Sequence, residues 1–316
     1  MVNRKPAISV VIPAFNGAAF LPRSIGSVLG QIFPDFELIV VDDGSTDDTS
    51  EVVKAYLGDK RVRYLYQPNK GLPGARNTGI NESAADLISF LDCDDEWLPE
   101  KLSLQFAAMA DSAFSACYGA ARFVLPGGQT KVMRGIQREP RELYRQLLFK
   151  NVLYGATSSI VVRRECFDRL GPFDERLVSC EDRDMWLRLS KEDRIKYIDQ
   201  ELIRFERTRP DAMTKNRVKM AEGRIGLLEN IEQGISTDCR RLLPRVRWWH
   251  YRRIAALLAN DRPAESRKYA IKAITASWRA DSEALQSIRL LGRGLLPARL
   301  VKKARPLPAA GRNDDD

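Results

Sequence analysis

Three carboxylates follow one apolar run of the chain. The run 87–91 leads directly into Asp92, and Asp94 and Asp95 follow after one cysteine. Such a cluster repels itself unless a cation neutralises it, and its hard oxygen ligands suit Mg²⁺ or Mn²⁺. A solvated acidic turn is the common alternative for an isolated motif of this kind. The spacing therefore indicates either a divalent-metal site or an exposed turn.

Asp182 is a second candidate for chemistry. The segment 180–189 has a helical pattern with an acidic first turn, and Asp182, Trp186 and Leu189 fall on one face of it. One interpretation is a carboxylate that the helix dipole stabilises. The other is a partly desolvated general base beside a crevice.

The elements that must position these acids follow from the pattern of the first hundred residues. Short apolar runs alternate with helical patterns at a spacing typical of right-handed crossovers and a mostly parallel sheet. In such sheets ligands bind outside the carboxyl ends of the strands. Polar clusters stand at three of these ends, namely Phe15-Asn16, Asp42-Asp43 and residues 92–95. We therefore expect an α/β domain in which these clusters face one crevice.

The next hundred residues predict further strands and helices. A strand-like run at 114–124, a turn and a run at 130–133 predict a hairpin. The pattern then predicts a helix over 140–149, a strand over 157–162 and a short helix over 163–170. A loop over 171–175 leads to the helix that carries Asp182.

Composition excludes several classes of protein. The chain has 316 residues, of which 44% are hydrophobic, enough for one large domain with an appendage. No apolar run approaches the roughly 20 residues that span a bilayer, and the N-terminus resembles no signal peptide, so we expect a cytoplasmic protein. The five cysteines form no C-x-x-C pair, which favours reduced thiols over a zinc site. The single histidine, His250, gives little support to Ser-His-Asp or Cys-His catalysis.

Positive charge is concentrated in the last third of the chain. Residues 211–316 hold 22 Lys and Arg against 12 Asp and Glu, whereas the preceding part is close to neutral. The pattern predicts a basic helical extension over 211–305 and a disordered tail over 306–316, with helices at 218–231, 240–258, 264–278 and 282–291. An anionic partner is one interpretation, including a membrane contact by residues 300–305, and a solvated helix face is the other.

Six blocks of the sequence, in order, strongly resemble family 2 glycosyltransferases. They cover about the first 205 residues, and several such blocks together are more specific than any one of them. The blocks are residues 8–16, 37–47, 71–79, 90–95, 171–175 and the pair Glu181-Asp182.

The resemblance implies the GT-A fold, a Rossmann-like α/β domain over 1–210 with a nucleotide-binding half (1–98) and an acceptor half (99–210). It also implies inverting transfer of a sugar from a nucleotide diphosphate donor, usually UDP-linked, to an acceptor hydroxyl with the help of Mn²⁺ or Mg²⁺. The Q-x-x-R-W motif of processive members is absent, which favours single addition. Bacterial surface polysaccharide or glycoconjugate synthesis fits this pattern, with a glycan, lipid-linked or protein acceptor and without nucleic acid.

Matched residue by residue, the resemblance also implies roles in the site. Asp43 would hydrogen-bond the base, with Asp42 as a helper, and Arg76 would lie near the nucleotide and its diphosphate. Asp92 would approach the ribose and Asp182 would be the catalytic base. Asp94 would ligate the metal, or Asp95 in its place. The nucleoside pocket would be lined by Pro13, Ala14, Phe15 and Asn16.

A different class of function is also compatible with the sequence. A nucleotide-sugar-binding domain without turnover could carry the helical extension as its protein-interaction module. An inactive relative would be expected to lose Asp94 or Asp182, and both acids are present.

Overall fold

The computed structural model describes residues 5–125, 127–206 and 215–277. The described residues form two compact units that divide after Ser236. One mixed sheet runs through the first unit in the order β3-β2-β1-β4-β8-β6-β9-β5, with β7 paired to β6. The α/β class predicted from the sequence is confirmed.

Four parallel strands form the first half of this sheet, the part in which the sequence predicts nucleotide binding. They are β1 (Ile8–Ala14), β2 (Phe36–Asp42), β3 (Val62–Tyr66) and β4 (Leu87–Phe90). Every residue of β1 and β2 is buried, which accounts for their predominantly apolar sequence. The helices between them are α1 (Leu21–Leu29), α2 (Thr49–Lys54) and α3 (Gly71–Glu82).

Helix α3 packs unusually close to strand β1. A Cβ atom at Gly79 would lie 2.2 Å from Cγ1 of Val11, so only glycine permits this approach. The close packing fixes α3 against the sheet and brings Arg76, one turn earlier, under the end of β4.

The rest of the sheet, from Glu96 onwards, is a mixture of parallel and antiparallel strands, so the expectation of a mostly parallel sheet holds only for the first half. Strand β8 pairs antiparallel with both β4 and β6, whereas β6 and β9 are parallel. The predicted hairpin of β6 and β7 is confirmed. The strands are β5 (Glu96–Trp97), β6 (Ala116–Val124), β7 (Thr130–Met133), β8 (Val161–Arg163) and β9 (Ile195–Glu206).

Two parts of this half differ from the sequence-based expectation. Strand β9 was not predicted because its register shifts opposite Gly119, Ala120 and Ala121, which interrupts the alternation of polar and apolar residues. The predicted strand over 157–162 begins only at Val161, since Ala156–Ser159 form a 3-10 turn. The turn follows Gly155, which has a left-handed φ of 79°.

The helices of the acceptor half are α4 (Lys101–Ala108), α5 (Pro140–Leu147), α6 (Arg164–Leu170) and α7 (Glu181–Leu189). The first unit also includes α8 (Arg217–Gly234), beyond the boundary that the change in composition predicts at residue 210. Helix α8 packs on the chain before α7, where a Cβ at Gly223 would lie 2.0 Å from Oγ of Ser179. Asn230 of α8 donates to Asp184 of α7 over 2.9 Å.

The second unit is helical in its described part. A 3-10 turn (Thr237–Leu242) leads to α9 (Leu243–Leu258) and α10 (Pro263–Ser277), close to the predicted helices. His250 is fully buried on α9, in agreement with a packing role. Within residues 5–125, 127–206 and 215–277, no helix is both long and apolar enough to cross a bilayer. The predicted helix 282–291, the segment 300–305 and the tail 306–316 lie outside the described residues.

Candidate active site

The end of β2 presents two buried carboxylates with different surroundings. Asp43 accepts hydrogen bonds at Oδ1 from Gln67 Nε2 (2.6 Å) and from the Lys70 backbone N–H (2.8 Å). Thr78 Oγ1 donates to the Gln67 side-chain oxygen over 2.5 Å and so fixes which end of that amide faces Asp43. Asp43 is therefore held in one orientation as a hydrogen-bond acceptor.

Asp42 binds the protein through both of its oxygens. Its Oδ1 accepts from the backbone N–H of Ser45 (2.9 Å), and its Oδ2 accepts from the Tyr64 hydroxyl (2.7 Å). Burial, together with this bond to Asp42, raises the pKa of Tyr64 well above its usual value. Asp42 thus holds the end of β2 against β3.

The loop after β1 is tied to the loop after β2 through Asn16. Its backbone has a left-handed φ of 50°. Its Oδ1 accepts from the Thr46 backbone N–H (2.9 Å), and its own N–H donates to Ser45 Oγ (2.9 Å). Phe15 leaves 52% of its surface exposed, while Pro13 and Ala14 are buried in β1. The loop after β1 therefore carries an exposed aromatic ring and is tied by two hydrogen bonds to the loop after β2.

Arg76 joins the two halves of the first unit. The side chain is 2% exposed, and its Nη1 donates to Oε1 of Glu181 (2.5 Å) while its Nη2 donates to Oδ1 of Asp92 (2.7 Å). Nη2 also donates to the Thr157 hydroxyl over 2.8 Å. Burial alone would lower the pKa of Arg76, but the charges of Asp92 and Glu181 raise it. A permanent buried cation thus connects the acid cluster after β4 with the start of α7.

Asn77, next to Arg76, binds the loop before α7. Its Nδ2 donates to the Phe173 carbonyl (2.9 Å) and to Glu175 Oε1 (2.9 Å), and its Oδ1 accepts from the Phe173 N–H (2.9 Å). The block at 71–79 therefore holds the blocks at 171–175 and 181–182 in place. These separate stretches of the sequence are therefore in direct contact in the folded chain.

The three acids after β4 differ in exposure. The Asp92 side chain is 25% exposed beside Arg76, and Asp94 is also partly exposed. Asp95 is 1% exposed, and its Oδ2 accepts from the Ser158 hydroxyl over 2.6 Å. The side chain of Arg23 donates to the Asp94 backbone carbonyl. Asp94 is therefore more open to solvent than Asp95.

Asp182 lies in the first turn of α7, beside Glu181. Its Oδ1 accepts from the Arg183 backbone N–H (2.6 Å), and its Oδ2 accepts from Asn151 Nδ2 (3.1 Å). Burial, followed by the charge of Glu181, raises the pKa of Asp182 to about 6 against the opposing effect of Arg76. The side chain keeps a partial opening to solvent. It can therefore both lose and accept a proton near neutral pH.

A divalent cation fits the oxygen ligands that the carboxylates after β4 offer. Within the described ranges, no group of three His, Cys, Asp or Glu side chains is arranged to hold a metal by itself. Mg²⁺ in nucleotide sites usually has one or two carboxylate ligands, and phosphate oxygens and water complete its coordination. Asp94, with its partly exposed carboxylate, suits that kind of site.

Several residues of the site had no role in the sequence-based interpretation. Gln67 orients Asp43, Glu181 binds Arg76, and Asn151 binds Asp182. The Thr157 hydroxyl accepts a hydrogen bond from Arg76, and the Ser158 hydroxyl donates one to Asp95. The run of hydroxyl residues 157–159 in a predicted strand was the available signal, because hydroxyls that become buried need partners.

A separate cavity of about 420 Å³ lies behind α7. Asp184 and Asn230 are among its lining residues, and they bind each other. Residues 182 and 184 point to opposite sides of a helix, so this cavity lies on the side of α7 away from the Asp182 carboxylate.

Comparison with known proteins identifies the family of the chain. Residues 9–171 match the family described as glycosyl transferase family 2. A glucosyltransferase of Escherichia coli, WfgD, named as UDP-Glc:alpha-D-GlcNAc-diphosphoundecaprenol beta-1,3-glucosyltransferase, is 31% identical over 193 residues, which are 61% of this chain and 73% of that protein. The chain spans only 16% to 32% of the length of several Rickettsia glycosyltransferases that it matches.

Solved structures show the same fold. Residues 1–349 of Staphylococcus aureus TarS superpose with a TM-score of 0.62 at 19% identity, covering 90% of this chain and 82% of that one. The mannosyltransferase PcManGT of Pyrobaculum calidifontis, solved with GDP-Man and Mn²⁺, gives 0.59 at 18% identity, covering 95% and 81%. The predicted GT-A fold is thus confirmed. The family match covers more than half of the chain, and the chain belongs to glycosyl transferase family 2.

Proposed function

We propose that the chain transfers a sugar from a nucleotide diphosphate donor to an acceptor hydroxyl with inversion at the sugar carbon. The observation that carries this proposal is the buried Arg76, which binds Asp92 at one end and Glu181, next to Asp182, at the other. It brings a donor-binding acid and a base with a pKa of about 6 into one crevice.

The donor is proposed to be UDP-linked. Asp43 is held as an acceptor by Gln67 and Lys70, and an acceptor suits the ring N–H of uracil. The exposed ring of Phe15 offers an apolar face to the base. The E. coli relative is named for a UDP-sugar, which agrees with this choice.

Asp94 is proposed to hold Mn²⁺ or Mg²⁺ together with the donor diphosphate, with Asp95 as the alternative ligand. Asp95 already accepts from Ser158 in a buried position, which favours Asp94. When bound, the ion would neutralise the charge that develops on the leaving diphosphate. Asp92 would bind the ribose, where Arg76 keeps its carboxylate oriented.

Asp182 is proposed as the general base. At pH 7 it is mostly ionised, since its pKa of about 6 lies below that value. It accepts the proton of the acceptor hydroxyl while that oxygen forms the bond to the sugar carbon. The bond from this carbon to the diphosphate oxygen breaks on the opposite face in the same step, which inverts the configuration.

The proposed setting is synthesis of a bacterial surface polysaccharide or glycoconjugate, with a glycan, lipid-linked or protein acceptor. The E. coli relative is named for an acceptor on diphosphoundecaprenol, which makes a lipid-linked acceptor the first choice. Residues 237–277 of the second unit hold 10 Lys and Arg against 3 Asp and Glu. Charge of this sign would favour peripheral contact with an anionic membrane.

A thermal-shift screen of UDP-, GDP-, dTDP- and CDP-sugars with Mn²⁺ tests the donor. A ligand that binds only the folded protein raises its melting temperature, and we expect the largest shift with a UDP-sugar and Mn²⁺. Asp94→Asn should remove the part of the shift that depends on Mn²⁺. No shift with any donor would reject the proposal and favour a role of the helices in protein interaction.

A further inference from the structure

Asn151, in the segment that follows α5, contacts the carboxylate of Asp182. Its Nδ2 donates to Oδ2 of Asp182 over 3.1 Å, and the two residues are 31 positions apart in the chain. Among the contacts of Asp182, this one reaches the carboxylate from outside α7. A side chain on a different element therefore helps to set its orientation.

The direction of the Asn151 amide is fixed by a second bond. The backbone N–H of Leu153 donates to Oδ1 of Asn151 over 3.1 Å. Leu153 is 1% exposed, so its N–H needs a protein acceptor. The amide oxygen must then face Leu153, and the NH₂ group must face Asp182.

The segment that carries Asn151 is itself attached to α7. Nε of Arg183 donates to the Leu147 carbonyl over 2.8 Å, and Arg183 is 4% exposed. The backbone N–H of the same residue donates to the other oxygen of Asp182 over 2.6 Å. Each carboxylate oxygen thus accepts one N–H, and the lone pairs that remain point away from both donors.

We propose that Asn151 is a positioning residue that holds the Asp182 carboxylate in the orientation in which a free lone pair meets the acceptor hydroxyl. This inference rests on the proposed role of Asp182 as the base. Asn151 itself touches no reacting atom, and it acts by restricting rotation of the Asp182 side chain.

The contact also changes the acidity of Asp182, because a donor to the ionised form favours that form. Loss of Asn151 should therefore raise the pKa of Asp182 above its present value of about 6. The other charged or titratable groups around this carboxylate remain in place when Asn151 is replaced. They are Arg76 on α3, Asp92 after β4, Glu181 and Arg183 on α7, and Cys180 at the start of α7, beside Arg224 of α8.

Asn151→Asp is the most direct test because it keeps an oxygen for the Leu153 N–H and replaces the donor by a carboxylate. The new acid and Asp182 would share a proton, so the higher apparent pKa of the pair should rise by about one unit or more. We would follow it by ¹³C NMR of the carboxyl carbons in the full chain, assigning Asp182 by its loss in Asp182→Asn. Turnover at pH 7 should fall at least about tenfold with little change in KM for the donor.

Asn230→Asp is the matched control. Asn230 Nδ2 donates to Asp184 on the far side of the same helix over 2.9 Å, so the same change is made on a carboxylate outside the crevice. The variant should lose stability, yet the pKa of Asp182 should stay near 6.

A second variant, Asn151→Leu, removes the donor without adding charge and should give a smaller rise in the pKa of Asp182. The inference is wrong if Asp182 keeps its wild-type pKa in both Asn151→Asp and Asn151→Leu. It is also wrong if Asn230→Asp raises the pKa of Asp182 as much as Asn151→Asp does. The NMR titration needs no substrate. Absence of transfer by the wild type would therefore reject the proposed function, while the titration would still report on the contact.

Discussion

The two halves of the first unit hold their functional side chains by different means. In the nucleotide-binding half, Asp43 binds Gln67 and Lys70, which are 24 and 27 positions away and follow the next strand. In the acceptor half, the decisive contact joins Arg76 to Glu181 across 105 positions. The side chains of the nucleotide-binding half are positioned by neighbouring strand ends. Those of the acceptor half depend on polar contacts between residues far apart in the chain. Damage to the two halves should therefore have different consequences.

The largest expected effect comes from Asp182→Asn, which removes the proposed base but keeps the shape of the acceptor half. Transfer should fall by about 10²- to 10⁴-fold, the usual contribution of a general base, while UDP still binds. Turnover of a UDP-sugar and the thermal shift with UDP and Mn²⁺ would be measured side by side. Full transfer by this variant would remove Asp182 as the base.

Arg76→Ala should damage both halves together. It leaves the buried Glu181 and the adjacent Asp92 without their cation, at a cost of about 3–5 kcal/mol in the free energy of unfolding. Urea denaturation would measure this loss. Arg134→Ala removes an exposed ion pair with Asp199 and is the control, with little expected change in stability. Similar small losses in both variants would show that Arg76 does not connect the halves.

Gly79→Ala should affect the nucleotide-binding half first. The added Cβ would overlap Val11 of β1, and overpacking of this kind costs about 1–3 kcal/mol. Gly26 of α1 has no atom within 4 Å of a Cβ position, so Gly26→Ala should leave stability unchanged or raise it by up to about 1 kcal/mol. Equal stabilities in urea would contradict the close packing of α3 on β1.

The smallest expected effect is a pH dependence that belongs to the acceptor half. The folded-state pKa of Asp182, about 6, lies above its ordinary value of 3.8. Its contribution to stability is therefore fully present below about pH 4 and is lost as the pH rises through about 6. Asp182→Asn should stabilise the protein more at pH 7 than at pH 4, by on the order of 1–2 kcal/mol. Unfolding curves at both pH values would measure the difference, and transfer by the wild type should decline below about pH 6.

The two kinds of positioning also differ in how far the sequence predicts them. The strand ends that carry Asp43 and Asp92 were found because buried parallel strands leave continuous apolar runs. Asn151 and Gln67 were not found, since their roles depend on which side chain lies opposite in space. Strand β9 was missed because an irregular register hides its period, and α8 was assigned to the extension because its polar composition does not show that it packs beside α7.

The ion pairs of Arg76 also limit how the crevice can move. Separating the halves would strip a buried cation of its partners and leave carboxylates facing one another, at a cost far above thermal energy. The two halves should therefore move as one body, and a donor of the proposed kind would meet acids that are already held together.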